Sequence, residues 1–289
     1  MKVEKFTIGK ILMWFFLIIV LLFCIIPIIF MITASFMDSK QILAMPYTWI
    51  PSSKYFTSSD RTFFTNFEKA IMGNNDNPVF FRNLLNSLVV AVTVAITTVL
   101  MASLCGYGLA KFRFRGRNAV FMSIMATMMI PFEAIMIPLY MVVSSMKMIN
   151  TYQGLIIPFL VSAFGVFQMR QYLITFPSEY LDAARMDGLG EFGIYARIVL
   201  PNCTPVVATL GILSFRNQWD NLLWPLLVSQ KEAMKTIPQY ISKFSEEKMT
   251  DEGAMMACAL IASIPMFILF FSLSKYFLGG AAVYESRKG

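Results

Sequence analysis

Long apolar runs separated by short polar segments dominate the chain. About 20 apolar residues, each rising 1.5 Å, cross a hydrocarbon core of about 30 Å, so such runs predict transmembrane helices. The run from Ile11 to Ile32 has 22 residues and no charge. Runs of about this length lie at residues 11–32, 84–110, 119–143, 154–174, 205–229 and 253–278. The pattern therefore predicts an all-α membrane protein of six transmembrane helices, with residues 1–289 forming a single transmembrane domain.

The distribution of cations predicts how these helices are oriented. Lys and Arg favour the cytoplasmic side of a membrane, most strongly in short loops. The segment KFRFRGR, residues 111–117, places four cations in seven residues. Placing this loop inside puts both termini in the cytoplasm and leaves a long inner loop at 175–204. The larger outer segments then lie at about 34–83 and 230–252.

Composition excludes several classes of protein. The chain is 57% hydrophobic and 14% charged, whereas soluble domains carry about 25% charged residues. It contains no His, which removes imidazole metal ligands and His-activated nucleophiles. Its four cysteines have no zinc-site spacing, so no metal site is expected. No G-x-x-x-x-G-K-[ST] phosphate loop occurs, so ATP, if used, must be hydrolysed by another subunit.

The inner loop contains the stretch LDAARMDGLGEFGIYARIVLP, residues 181–201. Its glycines at 188, 190 and 193 match the dinucleotide fingerprint G-x-G-x-x-G. That fingerprint requires a preceding strand, whereas EYLDAARMD favours a helix, so nucleotide binding is rejected. We instead expect a short helix from Glu179 to Asp187 that Gly188 ends in a left-handed conformation. Pro201 marks the start of the next membrane helix.

The same loop carries a longer spaced motif. Asp182, Ala183, Ala184 and Gly188, followed by IVLP at 198–201, reproduce the spacing E-A-A-x3-G-x9-I-x-L-P. The loop resembles the EAA motif of the membrane subunits of ATP-binding-cassette importers, with Asp where that family usually has Glu. The segments MIPFEAIMIPLY and SFRNQWDNLLWPLLV are similar to the maltose-type, carbohydrate-importing branch, and in particular to the shorter of its two permeases.

The resemblance implies a function and a set of partners. The chain would be the permease of an ATP-driven, binding-protein-dependent importer of a sugar, expected to be an oligosaccharide, in a bacterial inner membrane. It would pair with a second, longer permease, two cytoplasmic ATPases and an extracytoplasmic solute-binding protein, and with no nucleic acid. ATP and Mg²⁺ would bind to the ATPase, so the chain would bind no cofactor and would not itself be an enzyme. The implied ATPase-coupling residues are Glu179, Asp182, Ala183, Ala184, Asp187 and Gly188. The alternative is an amphipathic connection without a partner.

Polar side chains inside the predicted membrane helices are the second group of candidates, because such residues are costly in a bilayer. Glu133 lies between two prolines, where a weakened helix suits the lining of a cavity. Arg216 and Asp220 are four residues apart and can pair on one helical face. The candidates for a sugar pathway are Glu133, Asn217, Trp219, Asp220, Asn221 and Trp224. The alternative is structural: an internal ion pair, amide contacts, and an inter-helix hydrogen bond from Glu133.

Two other functions compete with the importer. An ion-gradient-driven secondary transporter would use Glu133 or Asp220 to carry a proton, but six helices are few for one and no inverted repeat is visible. An intramembrane enzyme is disfavoured because the chain has no His and no recognisable nucleophile setting.

Overall fold

A computed structural model describes residues 8–46, 48–52, 64–73, 78–246 and 251–286, and the side chains of all of these except residues 246 and 275–286. These residues form helices and connecting turns, and no strand occurs among them. The helices are α1 Ile8–Ala34, α2 Ser39–Ile42, α3 Thr65–Met72, α4 Phe80–Lys111, α5 Arg117–Thr127, α6 Phe132–Ser145, α7 Tyr152–Ile156, α8 Ala163–Ile174, α9 Glu179–Met186, α10 Glu191–Ile194, α11 Leu200–Asn202, α12 Thr204–Trp219, α13 Leu223–Val228, α14 Ile237–Glu246 and α15 Glu252–Ser286. A π-helical turn at Tyr195–Val199 joins α10 to α11, and 3₁₀ turns lie at Ile157–Phe159 and Glu232–Met234.

Three helices, α1, α4 and α15, are long and apolar enough to cross a membrane. They contain the predicted spans 11–32, 84–110 and 253–278. Up to six spans result if each of three bent helix pairs counts as one. The pairs are α5 with α6, α7 with α8, and the segment Glu191–Asn202 with α12, bent by 95°, 41° and 80° respectively.

The prediction of single helices over 119–143, 154–174 and 205–229 is therefore wrong. In the first of these runs Pro131 stands just before α6 in an extended conformation, with φ of −64° and ψ of 141°. Proline has no backbone N–H to continue a helix, which accounts for a break at this point. In the last run α12 ends at Trp219, and α13 begins only at Leu223.

The chain divides into two compact units, of which the first comprises Met1–Phe80 and Ile241–Ile264. Only Ala34 is buried in α1, so its apolar side chains cover the whole helix surface, as suits a helix surrounded by lipid. The buried Asn66 amide donates to the carbonyl oxygens of Ser35 and Met37 at 2.9 and 2.7 Å. Lys69 on α3 pairs with Asp251 at 2.6 Å, just before α15 begins. Polar contacts therefore hold α3 within this unit.

The second unit comprises Phe81–Tyr240 and Pro265–Gly289 and contains two apolar clusters. One cluster joins α4, α8, α9 and α12, and the other joins α4, α6, α7 and α13. At Gly106, α4 approaches α8 so closely that an added Cβ would lie 2.6 Å from the Met169 Cβ. The N-cap of α8 is Ser162, whose hydroxyl accepts from the Gly165 N–H at 3.1 Å. The long helix α4 thus takes part in both clusters.

Candidate functional site

The predicted helix of the 175–204 loop is present as α9, and its C-terminal turn is closed by glycine. Gly188 has φ of +83°, a left-handed conformation that residues with a Cβ rarely adopt. Its N–H donates to the Arg185 carbonyl at 3.0 Å, and the Leu189 N–H donates to the Ala184 carbonyl at 3.0 Å. These bonds satisfy carbonyls that the last helical turn would leave open. The prediction of a short helix ended by left-handed Gly188 is therefore confirmed.

The two faces of α9 have different surroundings. Leu181 and Ala184 are 1% and 3% exposed and belong to the cluster shared with α4, α8 and α12. Outside this contact Tyr180 and Met186 are 58% and 88% exposed, a large apolar exposure for so short a helix. One face of α9 is thus fixed to the membrane helices, while the other is open for a partner.

This arrangement divides the six predicted coupling residues. Five of them, Glu179, Asp182, Ala183, Asp187 and Gly188, are exposed. Ala184 instead lies in the core, where its small side chain lets α9 approach the unit closely. Sequence spacing made the two alanines equivalent, but neighbouring residues on a helix lie about 100° apart, and only one of them can face the core.

Three residues that sequence analysis did not single out as site residues connect α9 to the rest of the unit. Arg185 Nη1 donates to Asp182 Oδ1 at 2.7 Å, and Arg185 Nε donates to Glu191 Oε1 at 2.8 Å. The other oxygen of Glu191, Oε2, accepts from the Tyr107 hydroxyl at 2.9 Å. The bond to Glu191 raises the pKa of Arg185 above its ordinary value, and the bond to Asp182 adds to the rise. The three-residue spacing from Asp182 to Arg185 was a signal for the first pair. The contact between Glu191 and Tyr107 left no signal in the sequence, because it joins residues far apart in the chain.

The candidates on α12 lie in two different environments. Arg216 Nε lies 3.4 Å from Asp220 Oδ2, so the predicted i,i+4 pair is confirmed. Both of these side chains are about three-fifths exposed, at 62% and 61%, and Asn217 beside them is also exposed. Trp219 is buried and stacks on Phe215 with ring centroids 5.4 Å apart.

Trp224 and Asn221 take part in the packing of α13. The Trp224 ring has no exposed surface, and its Nε1 donates to the Gly154 carbonyl at 3.0 Å. It meets Phe132 and Phe159 edge to face, at centroid distances of 6.0 and 6.2 Å. The Asn221 Oδ1 accepts from the Trp224 N–H in the first turn of α13 at 3.3 Å. This placement favours the structural alternative for both residues over contact with a transported solute.

Glu133 lies in the first turn of α6, directly after the 95° bend. Its side chain is exposed, and no ion pair among the described residues includes it. An acidic group in the first turn of a helix is stabilised by the helix dipole, so the Glu133 carboxylate is stabilised at this bend without a neighbouring cation. The predicted inter-helix hydrogen bond from Glu133 stays a prediction.

Known proteins share this sequence pattern and fold. The family model described as binding-protein-dependent transport system inner membrane component matches residues 98–279. The chain is 32% identical over 279 residues to the arabinooligosaccharides transport system permease protein AraQ of Bacillus subtilis, with 96% of each chain covered. It is 35% identical over 205 residues to the lactose transport system permease protein LacG of Rhizobium radiobacter, covering 71% of this chain and 74% of that one. It is 30% identical over 288 residues to the sn-glycerol-3-phosphate transport system permease protein UgpE of Rhizobium meliloti, covering 98% and 99%.

A solved structure has the same fold. It is a crystal structure of a bacterial ABC transporter involved in the import of the acidic polysaccharide alginate. One of its chains superposes with a TM-score of 0.78 at 21% sequence identity, covering 95% of this chain and 99% of that one. At this identity the likeness extends to the fold alone.

Proposed function

The chain belongs to the family of binding-protein-dependent transport system inner membrane components, and we propose that it is the shorter permease of an ATP-driven sugar importer that couples to a separate ATPase through α9. Family membership makes it a multi-pass membrane protein and a permease component of an ABC importer. The finer elements of the proposal are the role of α9, the topology, the partners and the solute.

The observation that carries the coupling role is the two-sided environment of α9. Its exposed face offers Tyr180, Ala183 and Met186 to a partner, with carboxylates beside them. Its buried face, through Leu181 and Ala184, contacts the same cluster as α4, α8 and α12. Because protein interiors are close-packed and transmit displacement, a partner that moves α9 would also move the membrane helices.

The partners follow from this role. We propose that a second, longer permease completes the pathway and that a pair of cytoplasmic ATPases, which bind ATP and Mg²⁺, holds the exposed face of each coupling helix. An extracytoplasmic binding protein would deliver the solute. ATP and the loaded binding protein would both bias one equilibrium between inward-open and outward-open states. In this arrangement the loop 175–204 and both termini lie in the cytoplasm.

The solute we propose is polyhydroxylated, with an oligosaccharide as the first choice. The names of the relatives specify arabinooligosaccharides, lactose and sn-glycerol-3-phosphate. On this chain the exposed Arg216, Asn217 and Asp220 supply donors and acceptors for hydroxyl groups at the C-terminal end of α12. Glu133 stays a candidate for the same pathway, whereas we assign Trp219, Asn221 and Trp224 to packing.

Affinity purification of the tagged full-length chain from its native membranes tests the proposal. We expect a second permease and an ATPase to co-purify, and the reconstituted complex to take up labelled arabinooligosaccharides, lactose or glycerol 3-phosphate only with ATP and a binding protein. Recovery of the chain alone, together with uptake driven by a proton gradient without ATP, would contradict it. That result would favour the secondary transporter and direct attention to Glu133 and Asp220.

A further inference from the structure

A continuous line of hydrogen bonds connects the coupling helix α9 to the long helix α4. It runs from Asp182 to Arg185 at 2.7 Å, from Arg185 to Glu191 at 2.8 Å, and from Glu191 to Tyr107 at 2.9 Å. Each carboxylate oxygen of Glu191 accepts from a different partner. The exposed face of α9 is thereby joined to a residue on α4 that is only 4% exposed.

The line crosses the turn at Gly188. Arg185 lies before this turn and Glu191 after it, so their bond spans the reversal between α9 and α10. An added Cβ at Gly188 would find no atom within 4 Å, so the turn is not held by packing around this residue. The angle between α9 and α10 therefore depends on the backbone bonds of Gly188 and Leu189, on the Arg185–Glu191 bond and on the apolar contacts of α9.

A second polar contact ties the next turn to α4. The hydroxyls of Ser103 and Tyr195 lie 2.7 Å apart, and both residues are buried. The rings of Tyr107 and Tyr195 are 5.9 Å apart between centroids. The α4 end of the line is thus held in a packed environment, whereas its α9 end lies at the surface.

We propose that Tyr107, Glu191 and Arg185 form a polar strut that transmits movement of α9 to α4, with Tyr107 and Glu191 as positioning residues. The inference rests on the proposed coupling role of α9. Apolar contacts such as those of Leu181 and Ala184 hold α9 against the membrane helices, but they are non-directional and do not select one hydrogen-bonding orientation. Hydrogen bonds weaken steeply away from their preferred angle, so the strut fixes the orientation in which α9 pulls.

An isolated surface ion pair would be too weak for this task, since exposed pairs contribute little to stability. Arg185 and Glu191 are each about two-fifths exposed, at 39% and 41%. The strut differs because one of its carboxylate oxygens is held by a phenol fixed in the core. The strut therefore contributes to the orientation of α9. Removing it should reduce the coupling of ATP hydrolysis to transport more than it reduces stability.

The test uses Tyr107→Phe and Glu191→Gln in the complete reconstituted complex. Each variant is measured for ATPase co-purification, thermal stability, basal ATP hydrolysis and solute uptake per ATP hydrolysed. We expect assembly, stability and basal hydrolysis close to wild type, with uptake per ATP reduced by about threefold or more, as loss of a hydrogen bond to a charged group permits. Tyr172→Phe is the matched control, because it also removes a hydroxyl that donates between elements, here to the Asn202 carbonyl at 3.0 Å. It should leave uptake per ATP unchanged.

The double variant tests whether both residues act through one line. Residues in a shared network have non-additive effects, so Tyr107→Phe with Glu191→Gln should lose no more than the more severe single variant. Additive losses, or losses of uptake that only parallel a fall in thermal stability, would overturn the strut and leave a structural bond. Failure of the proposed function has a different signature: the wild-type complex itself would lack an ATPase and ATP-driven uptake, which would overturn both proposals.

Discussion

The indole Nε1 of Trp224 donates a 3.0 Å hydrogen bond to the carbonyl oxygen of Gly154, 70 residues earlier in the chain. The bond joins α13 to α7 and lies in the cluster that also includes α4 and α6. Trp224 is thus the centre of the packing at this end of the second unit. A ring that is fully buried and hydrogen-bonded in this way is a poor candidate for a sugar platform.

Replacing Trp224 with Phe should destabilise the protein without changing its preference for a solute. The change leaves a cavity and an unsatisfied buried carbonyl, which together should cost about 2–4 kcal/mol. The measurement is the temperature at which half of the detergent-solubilised protein is lost from its monodisperse chromatography peak. Trp14→Phe is the control, because Trp14 on α1 is 55% exposed and should tolerate the change. Unchanged stability with a weakened apparent affinity for the solute would instead place Trp224 in the pathway.

Gly188→Val should abolish the ATP hydrolysis that the binding protein stimulates, while membrane insertion stays intact. The φ of +83° costs a residue with a Cβ about 1–2 kcal/mol, and more if it is β-branched. The open space around Gly188 means that this cost arises from the backbone and not from crowding. We expect binding-protein-stimulated ATP hydrolysis to be lost, as measured with the purified complex.

The matched control is Gly190→Val. Gly190 also has nothing within 4 Å of an added Cβ, but its φ of −72° is open to any residue. This variant should keep most of its stimulated hydrolysis. Normal stimulation of ATP hydrolysis by the binding protein in Gly188→Val would contradict the proposal that α9 is the coupling element.

Asn217 and Asn221, four residues apart, should respond differently to alanine. Asn217 is exposed at the end of α12, so Asn217→Ala should raise the apparent KM for solute uptake and leave the thermal stability unchanged. Asn221 accepts from the Trp224 N–H, so Asn221→Ala should remove a hydrogen bond from the first turn of α13 and cost about 1 kcal/mol of stability. Uptake titrations and thermal unfolding of the two variants in parallel check this pair of outcomes. If both variants showed the same rise in apparent KM and the same loss of stability, the two asparagines would not have separate roles.

The pair of Lys69 and Asp251 should make the first unit sensitive to acid. Burial raises the pKa of Asp251, but the hydrogen bonds from Lys69, from the Ala254 N–H and from Ser39 outweigh it and lower the pKa below its ordinary value. A carboxylate with a lowered folded-state pKa stabilises the fold above its unfolded value of about 3.9, and this contribution is lost as the pH falls through the folded value. The difference in stability between wild type and Asp251→Asn should therefore be largest near neutral pH and shrink as the pH falls below about 5 towards the lowered folded-state pKa.

Thermal unfolding of both proteins across this pH range is the measurement. Glu68→Gln serves as the control, because Glu68 is an exposed carboxylate next to Lys69 on α3. It should follow the wild-type curve. A difference between wild type and Asp251→Asn that does not change with pH would refute the ionic contribution.

The sequence by itself determined the membrane character of the chain, the three uninterrupted helices and the short helix α9. Apolar runs of sufficient length can satisfy their backbone in a bilayer only as helices, so 11–32, 84–110 and 253–278 were readable from composition alone. The short helix before Gly188 was equally readable, because helix propensity and a glycine stop are local properties. The spaced motif beginning at Asp182 predicted the family correctly.

Only the tertiary structure decided where the other spans break and which polar residues stay open. Apolar residues cover every face of these runs, so no hydrophobic period marks the 95° bend before α6 or the interruption between α12 and α13. Packing buried Ala184 and Trp224 but left Ala183 and Asn217 open, and it brought Tyr107 to Glu191 across 84 residues of chain. Local propensity and spacing act over a few residues, whereas these choices depend on which side chains the packed helices bring into contact.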